Sequence, residues 1–323
     1  MMTLAMNPVG KTGLKVSAVS FGGSALGDMP DTYGYAVSEE RARATIRAIF
    51  AGPATMIDTS RIYGLGRSEE RIGAAIAEMG GLPKGFAVST KLDRDFETGK
   101  FDAARARRSL EDSLKALGLP SVQILHLHDP EYASDFADVT RQGGALTELF
   151  KLKAEGLCDA VGFAAGKVEV MTPLIKDWDF DAIITHNRYT LLNRNASAMI
   201  DVAVSRGTAV FNAAPYAGGV FAKGSGAYQK LAYQDADAET LAPVRQVEAI
   251  CARFAVPPGA AALQFSLRDK RIASTICGVS KPERVKETID WANWPIPEEM
   301  WAELAKVAWT NDDPEAKRKY RIA

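Results

Sequence analysis

Met56-Ile57-Asp58-Thr59-Ser60-Arg61-Ile62-Tyr63-Gly64 is the most informative stretch of this chain, because a short apolar run breaks there into polar residues and glycine. The pattern predicts a strand that delivers an acid and a phenol to the loop after it. Two other apolar segments end in the same way, residues 86–91 in Lys91 and residues 122–128 in His128. The ends of three predicted strands therefore carry side chains that are suited to proton transfer.

Short β-branched runs alternate with helical patterns along the whole chain, which is typical of βαβ units and a parallel sheet. Helix starts are marked by Ser38-Glu39-Glu40-Arg41 and Ser68-Glu69-Glu70-Arg71, where a serine N-cap precedes acids that favour the positive helix end. The predicted strands are residues 16–21, 55–57, 86–90, 122–128, 160–163, 182–185, 209–211 and 274–276. Eight such units predict the α/β class and a single (β/α)8 TIM barrel domain over residues 1–323. A short N-terminal β-hairpin around Lys11-Thr12-Gly13 is expected to cover the amino-terminal end of the barrel.

The composition excludes several classes of protein. A hydrophobic fraction of 47% in 323 residues is ordinary for a globular protein, and a formal net charge of -1 favours neither nucleic acid nor anionic membrane as a partner. The first residues do not resemble a leader, and no apolar run is long enough to span a membrane. We expect a cytoplasmic monomer or weak homo-oligomer, with reduced thiols at Cys158, Cys251 and Cys277.

The barrel prediction brings the reactive side chains together, because active sites of this fold lie at the carboxyl ends of the strands. A tyrosine titrates near pH 10 in water, so Tyr63 needs a nearby cation to exchange protons readily at neutral pH. Lys91 is the candidate for that cation, Asp58 for the carboxylate that keeps Lys91 protonated, and His128 for the hydrogen bond to a substrate carbonyl oxygen. This set suits proton transfer to a forming alkoxide, coupled to hydride transfer.

These residues resemble the aldo-keto reductase family over nearly the whole chain. Asp58 and Tyr63 match the motif of its second strand, Lys91 matches the lysine that ends its third strand, and His128 matches a histidine that Trp-Pro commonly follows. The segment Gly278-Val279-Ser280-Lys281-Pro282-Glu283-Arg284-Val285-Lys286-Glu287 resembles the family's site for the adenine and ribose phosphate of a nicotinamide cofactor. The stretches from Tyr63 to Glu69 and from Asn187 to Leu192 are similar to the aldose dehydrogenase branch.

The resemblance implies a catalytic tetrad, a cofactor and a substrate class. The implied catalytic residues are Asp58, Tyr63, Lys91 and His128. The implied cofactor contacts are Asn187, Ser280, Lys281, Arg284 and Glu287, and the implied substrate contacts are Asp129 and Tyr216. NADP(H) is favoured and NAD(H) remains an alternative, with an aldose-like sugar or small aldehyde as the substrate.

Several positions depart from the family pattern. Ala164-Ala165 stands where many members carry a Ser-Asn pair for the carboxamide, and Ala213 stands where an aromatic side chain often stacks on the nicotinamide. His186 and Asn187 both fall near the usual glutamine of the sixth strand. The pocket wall is expected to come from residues 28–35, residues 131–143, the segment after Ala213 and residues 312–323.

Other functions are compatible with parts of the pattern. His126-Leu127-His128, with His186, is the only basis for a metal-dependent barrel hydrolase, and so few imidazoles argue against it. Lys91 alone is compatible with a Schiff-base aldolase. A non-enzymatic NADPH-binding sensor or channel-associated subunit on the same barrel is a further alternative, and turnover distinguishes it from an enzyme.

Overall fold

The computed structural model describes residues 4–318, which form a closed barrel of eight parallel strands with helices around it. The described strands are β1 (Met6–Pro8), β2 (Lys15–Ser17), β3 (Val19–Gly22), β4 (Met56–Asp58), β5 (Ala87–Leu92), β6 (Val122–His128), β7 (Cys158–Ala164), β8 (Ala182–His186), β9 (Ala209–Ala213), β10 (Lys230–Leu231), β11 (Gln234–Asp235) and β12 (Ile272–Gly278). The described α-helices are α1 (Pro30–Tyr33), α2 (Glu39–Ala51), α3 (Arg67–Glu78), α4 (Ala103–Leu117), α5 (Phe136–Thr140), α6 (Ala145–Ala154), α7 (Val168–Asp177), α8 (Ser197–Ser205), α9 (Val220–Lys223), α10 (Ala242–Arg253), α11 (Pro258–Leu267), α12 (Pro282–Ala292) and α13 (Glu298–Leu304). None of these helices is both long and apolar enough to cross a membrane.

The barrel runs from β3 to β9 in chain order and closes through β12, which pairs with both β9 and β3. All of these pairings are parallel, so the carboxyl ends of the eight strands lie at one end of the barrel. The predicted α/β class and (β/α)8 TIM barrel are confirmed.

The predicted N-terminal hairpin is also present. Strands β1 and β2 pair antiparallel, with Met6 opposite Ser17. Val9 and Val16 are fully buried and join the apolar cluster inside the barrel, where they pack with Met56 and Ile124. The hairpin therefore fills the amino-terminal end of the barrel and leaves the carboxyl end for a ligand.

The prediction of one strand over residues 16–21 was wrong in its boundaries. The chain bends at Ala18, so that β2 belongs to the hairpin and β3 to the barrel. The side chains of Ser17 and Thr55 each accept a hydrogen bond from the other residue's backbone N–H, both at 2.9 Å. These bonds hold the chain at the bend, which the continuous apolar pattern does not reveal.

Small residues on β7 make room inside the barrel for a histidine of β6. An added Cβ at Gly162 would lie 1.9 Å from the carbonyl oxygen of Ala182 and 2.8 Å from Nδ1 of His126. His126 is fully buried, and burial, followed by the charge of Lys91, lowers its pKa well below the usual value. His126 is therefore a neutral packing residue beneath the site.

Candidate active site

An ion pair between two strand ends forms the floor of the candidate site. Asp58 ends β4, and Lys91 lies one residue before the end of β5. Both residues are buried, with 5% of the surface of Asp58 and 1% of that of Lys91 exposed to solvent. Lys91 Nζ donates to Asp58 Oδ2 at 2.8 Å and to the carbonyl oxygen of Thr59 at 2.6 Å, while Ser89 Oγ donates to Asp58 Oδ1 at 2.9 Å. A buried charge needs such partners, so each member of the pair fixes the other.

Tyr63 lies against this ion pair, on the loop that follows β4. Its ring centroid is 4.8 Å from Lys91 Nζ, and its ring meets the His128 ring edge-on at a centroid distance of 5.7 Å. The loop turns at Gly64, whose φ is 63°, and a Cβ there would lie 1.9 Å from the carbonyl oxygen of Gly27. Glycine at this position therefore allows the backbone at Gly64 to pass close to that at Gly27, and this contact helps to fix the loop that carries Tyr63.

The surroundings of Tyr63 keep its hydroxyl protonated. Burial, and after it the negative charge of Asp58, raises the pKa of Tyr63 well above the usual value. The sequence-based expectation was that Lys91 would favour the phenolate. In the structure, burial of the phenol and the negative charge of Asp58 raise the pKa instead.

His128 is held by a carboxylate that the sequence analysis missed. Nδ1 of His128 lies 2.6 Å from Asp93 Oδ1 and 3.1 Å from Ser60 Oγ. Asp93 follows β5, two residues after Lys91, and it is fully buried. The position of Asp93, two residues after Lys91, could have marked it as a candidate site residue. Only the fold shows that its side chain faces His128 on the neighbouring strand β6.

Asp129 stands beside the other ring nitrogen of His128. Its Oδ2 lies 3.8 Å from Nε2 of His128, and its backbone has a φ of 43°, in the left-handed region that non-glycine residues rarely adopt. Strained backbone of this kind gathers at functional sites. The turn places a carboxylate on the cavity wall beside the imidazole.

A cavity of about 530 Å³ opens at the carboxyl ends of the barrel strands. Its lining includes the four predicted catalytic residues and also Ser280, Lys281 and Arg284. Its wall includes Met29, Thr32, Tyr33 and Tyr35, then Ala214, Tyr216, Gly218, Gly219, Ala222, Lys223 and Tyr233, and finally Arg318. Three of the four predicted wall segments therefore contribute. Residues 131–143, all of which the structure describes, add nothing to this lining, and residues 319–323 lie outside the described chain.

Several cations, among them Lys223, Lys281 and Arg284, line the cavity. Arg284 pairs with Glu287 at 2.8 Å, and Glu287 itself is outside the cavity lining. Lys223 and Lys281 have no ion-pair partner among residues 4–318. Burial, followed by the charge of Arg284, lowers the pKa of Lys223, whose Nζ lies 3.9 Å from the ring centroid of Tyr228. An anion bound here would relieve this repulsion.

Two of the predicted contacts lie in unexpected places. Asn187 is 2% exposed, is absent from the cavity lining, and donates from Nδ2 to Glu315 Oε1 at 2.6 Å, whereas His186 lines the cavity. Tyr216 does line the cavity, but its hydroxyl turns away to Cys277 Sγ at 3.6 Å. The lining therefore favours His186 over Asn187 as the residue of the sixth barrel strand that meets a ligand.

The histidines of the sequence do not assemble a metal site. Within residues 4–318, no group of three or more His, Cys, Asp or Glu side chains has an arrangement that could hold a metal ion. His126 lies inside the barrel, while His128 and His186 line the cavity. The described residues therefore offer no set of metal ligands for the metal-dependent hydrolase alternative.

Residues 18–308 match the family model described as the aldo/keto reductase family. The chain belongs to the aldo/keto reductase family. It is 29% identical to a pyridoxal 4-dehydrogenase of Microbacterium luteolum, over 92% of this chain and 95% of that protein. It is also 29% identical to a D-threo-aldose 1-dehydrogenase of Pseudomonas sp, over 91% of this chain and 94% of that protein. An aldo-keto reductase of Bacillus halodurans, solved in its holo form, shares the fold with a TM-score of 0.77 at 20% identity, over 98% of this chain and 100% of that chain.

Family membership makes this aldo-keto reductase an NAD(P)-dependent oxidoreductase. The sequence-based predictions of the family and of the enzyme class are confirmed.

Proposed function

We propose that this aldo-keto reductase transfers hydride between NADP(H) and the carbonyl or hemiacetal carbon of an aldose-like sugar or small aldehyde, with Tyr63 as the general acid and base. The observation that carries the proposal is the contact of Tyr63 with the buried pair of Asp58 and Lys91 at the cavity floor. Family membership and a relative named for D-threo-aldose support the reaction class. The bound nicotinamide supplies the hydride, and the protein supplies the proton.

Four side chains of the site have separate roles in the proposed reaction. In reduction, Tyr63 gives its hydroxyl proton to the oxygen of the carbonyl, and in oxidation it takes the proton back. Lys91 places a positive charge beside the phenol ring as the proton leaves, and Asp58 holds Lys91 in position. His128 donates a hydrogen bond to the same oxygen. The buried floor excludes water, which strengthens each of these electrostatic contacts.

The cationic lining of the cavity fits a dinucleotide with an additional phosphate. Lys223, Lys281 and Arg284 line the cavity, and a diphosphate with a 2′-phosphate would neutralise more of this charge than a diphosphate alone. Ser280 adds a hydroxyl at the same place. This excess of cations supports NADP(H) over NAD(H), with Ser280, Lys281 and Arg284 as the phosphate contacts. Glu287 then acts by holding Arg284 rather than by contacting the cofactor.

Replacement of Arg284 by Ala tests the cofactor proposal. We expect the KM for NADPH to rise roughly 10- to 100-fold, because a charge-assisted hydrogen bond is worth about 1.5–3 kcal/mol. The KM for NADH should change far less. Steady-state kinetics with both cofactors measure the two effects.

A matched control for this variant is Arg206→Ala. Arg206 forms an ion pair of 2.7 Å with exposed Asp179 and does not line the cavity. Both cofactors should keep their KM in that variant. If Arg284→Ala raises the KM for NADPH and NADH equally, Arg284 does not select the 2′-phosphate.

The substrate end of the cavity favours a molecule that carries hydroxyl groups. Asp129 puts a carboxylate on the wall 3.8 Å from the His128 ring, where the family commonly has a bulky aromatic residue. A carboxylate accepts hydrogen bonds from hydroxyl groups next to the reacting carbon. We propose Asp129 as the contact to a hydroxyl of the sugar, and Tyr216 as an apolar wall, since its own hydroxyl is bound to Cys277.

A spectrophotometric screen tests the proposed function as a whole. Sugars, sugar aldehydes and small aldehydes are offered with NADPH, NADH, NADP and NAD, and the change of nicotinamide absorbance is followed. Turnover with aldoses or aldehydes supports the proposal. Tight NADPH binding without turnover on any of them would favour the sensor or channel-associated alternative.

A further inference from the structure

Asp93 is a buried carboxylate that does not line the cavity, yet every contact of its side chain leads to the site. Its Oδ1 lies 2.6 Å from Nδ1 of His128. Its Oδ2 accepts hydrogen bonds from Ser60 Oγ at 2.5 Å and from the backbone N–H of Ile62 at 3.0 Å. Since Ser60 and Ile62 belong to the loop that carries Tyr63, Asp93 joins the histidine to the loop of the proposed acid.

These hydrogen bonds decide which nitrogen of His128 carries a proton. An ionised carboxylate that already accepts two hydrogen bonds has no proton to give, so Nδ1 must be the donor to Asp93. A neutral imidazole would then have a bare Nε2. A bare nitrogen cannot donate to a carbonyl oxygen, and here it would also face the Asp129 carboxylate at 3.8 Å. Only a second proton on Nε2 makes His128 a donor toward the cavity.

We propose that Asp93 is a positioning residue that holds His128 as an imidazolium, with its Nε2–H directed at the substrate carbonyl oxygen. This inference rests on the proposed carbonyl chemistry for its kinetic consequence, but the protonation of His128 is a property of the free protein. His128 keeps both protons during the reaction. The proton that the alkoxide receives comes from Tyr63, so the charge balance of the step is unchanged.

The charged neighbours of His128 support this assignment. Burial lowers its pKa, but the charges of Asp129 and Asp93, and the hydrogen bond to Asp93, outweigh burial and raise the pKa above its usual value. The positive charge of Lys91 on β5 has the opposite effect and lowers the pKa of His128. The other neighbours bring no charge: the ring meets the phenol of Tyr63 edge-on, His126 lies two residues earlier on β6 and is neutral, and Ala164 is the strand partner of His128 on β7.

The direction of the pH dependence follows from the raised pKa. His128 is protonated below its pKa in the folded protein and loses the Nε2 proton as the pH rises through that value. The rate of carbonyl reduction should therefore fall along a basic limb that belongs to His128. Tyr63 does not titrate in the same range, because its own pKa is raised well above the usual value.

The test is nitrogen-15 NMR of the imidazoles in the cofactor-free protein, which contains three histidines. Long-range proton–nitrogen spectra report the protonation of each ring nitrogen, and single His→Gln variants assign the signals. We expect His128 to carry protons on both nitrogens near pH 7 and Asp93→Asn to move its titration down by about one pH unit or more. Asp112→Asn, an acid-to-amide change at an exposed position of α4, should leave the titration unchanged.

Two NMR results would overturn the inference, namely a neutral His128 with a bare Nε2 near pH 7 in the unaltered protein, or a titration that Asp93→Asn does not move. The first result is decisive even if Asp93→Asn does not fold. A separate kinetic experiment measures kcat as a function of pH. Asp93→Asn should shift the basic limb of this profile to lower pH and leave the KM for the cofactor unchanged. An unmoved limb would contradict the inference. Absence of turnover in the unaltered enzyme would contradict the proposed function instead, and the NMR result would still stand.

Discussion

Tyr63→Phe is expected to lower kcat by about 10²- to 10⁴-fold, the usual contribution of a positioned general acid. The change removes the hydroxyl and keeps the ring, so the edge-on contact with His128 and the cation contact with Lys91 are retained. Binding of the cofactor should stay nearly the same, because Tyr63 is not among its proposed phosphate contacts, which are Ser280, Lys281 and Arg284. Steady-state kinetics and fluorescence titration with NADPH measure the two quantities.

The matched control for this loss is Tyr189→Phe. The hydroxyl of Tyr189 is also hydrogen-bonded in the folded protein, to Asp269 and Arg271, but Tyr189 is outside the cavity lining. That variant should keep kcat near the unaltered value. Turnover by Tyr63→Phe at a rate close to that of the control would show that another group delivers the proton.

Lys91→Met is expected to lower the free energy of unfolding by about 3–5 kcal/mol and to abolish most of the activity. The loss of stability follows because the Asp58 carboxylate, only 5% exposed, is left without its cation. The activity falls because the positive charge 4.8 Å from the ring centroid of Tyr63 is gone. Urea denaturation followed by circular dichroism measures the stability.

A double variant separates the buried pair from the lysine alone. Asp58→Asn combined with Lys91→Met removes both charges, so it should be more stable than Lys91→Met while remaining inactive. Lys286→Met, in an exposed ion pair of 2.7 Å with Asp290, should have a far smaller effect on stability. Equal stabilities of the single and double variants would mean that the buried charge is not the cause of the loss.

The fold could be predicted from the sequence because the signals were local and repeated. Each barrel strand has its own apolar run, and Ser38 caps α2 as predicted, with its Oγ accepting from the backbone N–H of Arg41 at 3.2 Å. The predicted cap at Ser68 was wrong, because α3 begins at Arg67 after Gly66 and Ser68 lies inside the helix. The division of the first predicted strand at Ala18 was missed, because the bend depends on bonds to Thr55, which is distant in sequence. A single apolar pattern does not distinguish two short strands from one.

The part of the site that followed most directly from the fold prediction is the set of reactive residues at strand ends. Asp58, Lys91 and His128 could be placed together because parallel strands bring their ends to one rim. Asp93 could not, since its contact with His128 depends on the direction of a loop after β5. The choice between His186 and Asn187 also depends on local backbone direction, which decides which of the two adjacent side chains turns into the cavity. Asn187 has a positive φ of 57°, and its side chain does not line the cavity.

The closure of the barrel between β3 and β12 has a consequence for biosynthesis. Ser20 and Ser274, which share a hydrogen bond of 2.8 Å across this seam, are 254 residues apart in the chain. A ribosome must therefore deliver nearly all of the described chain before the last pairing can form. Until then β3 and β9 have unpaired edges, which are prone to associate with other chains. We expect the nascent protein to depend on chaperones most strongly just before β12 emerges from the exit tunnel.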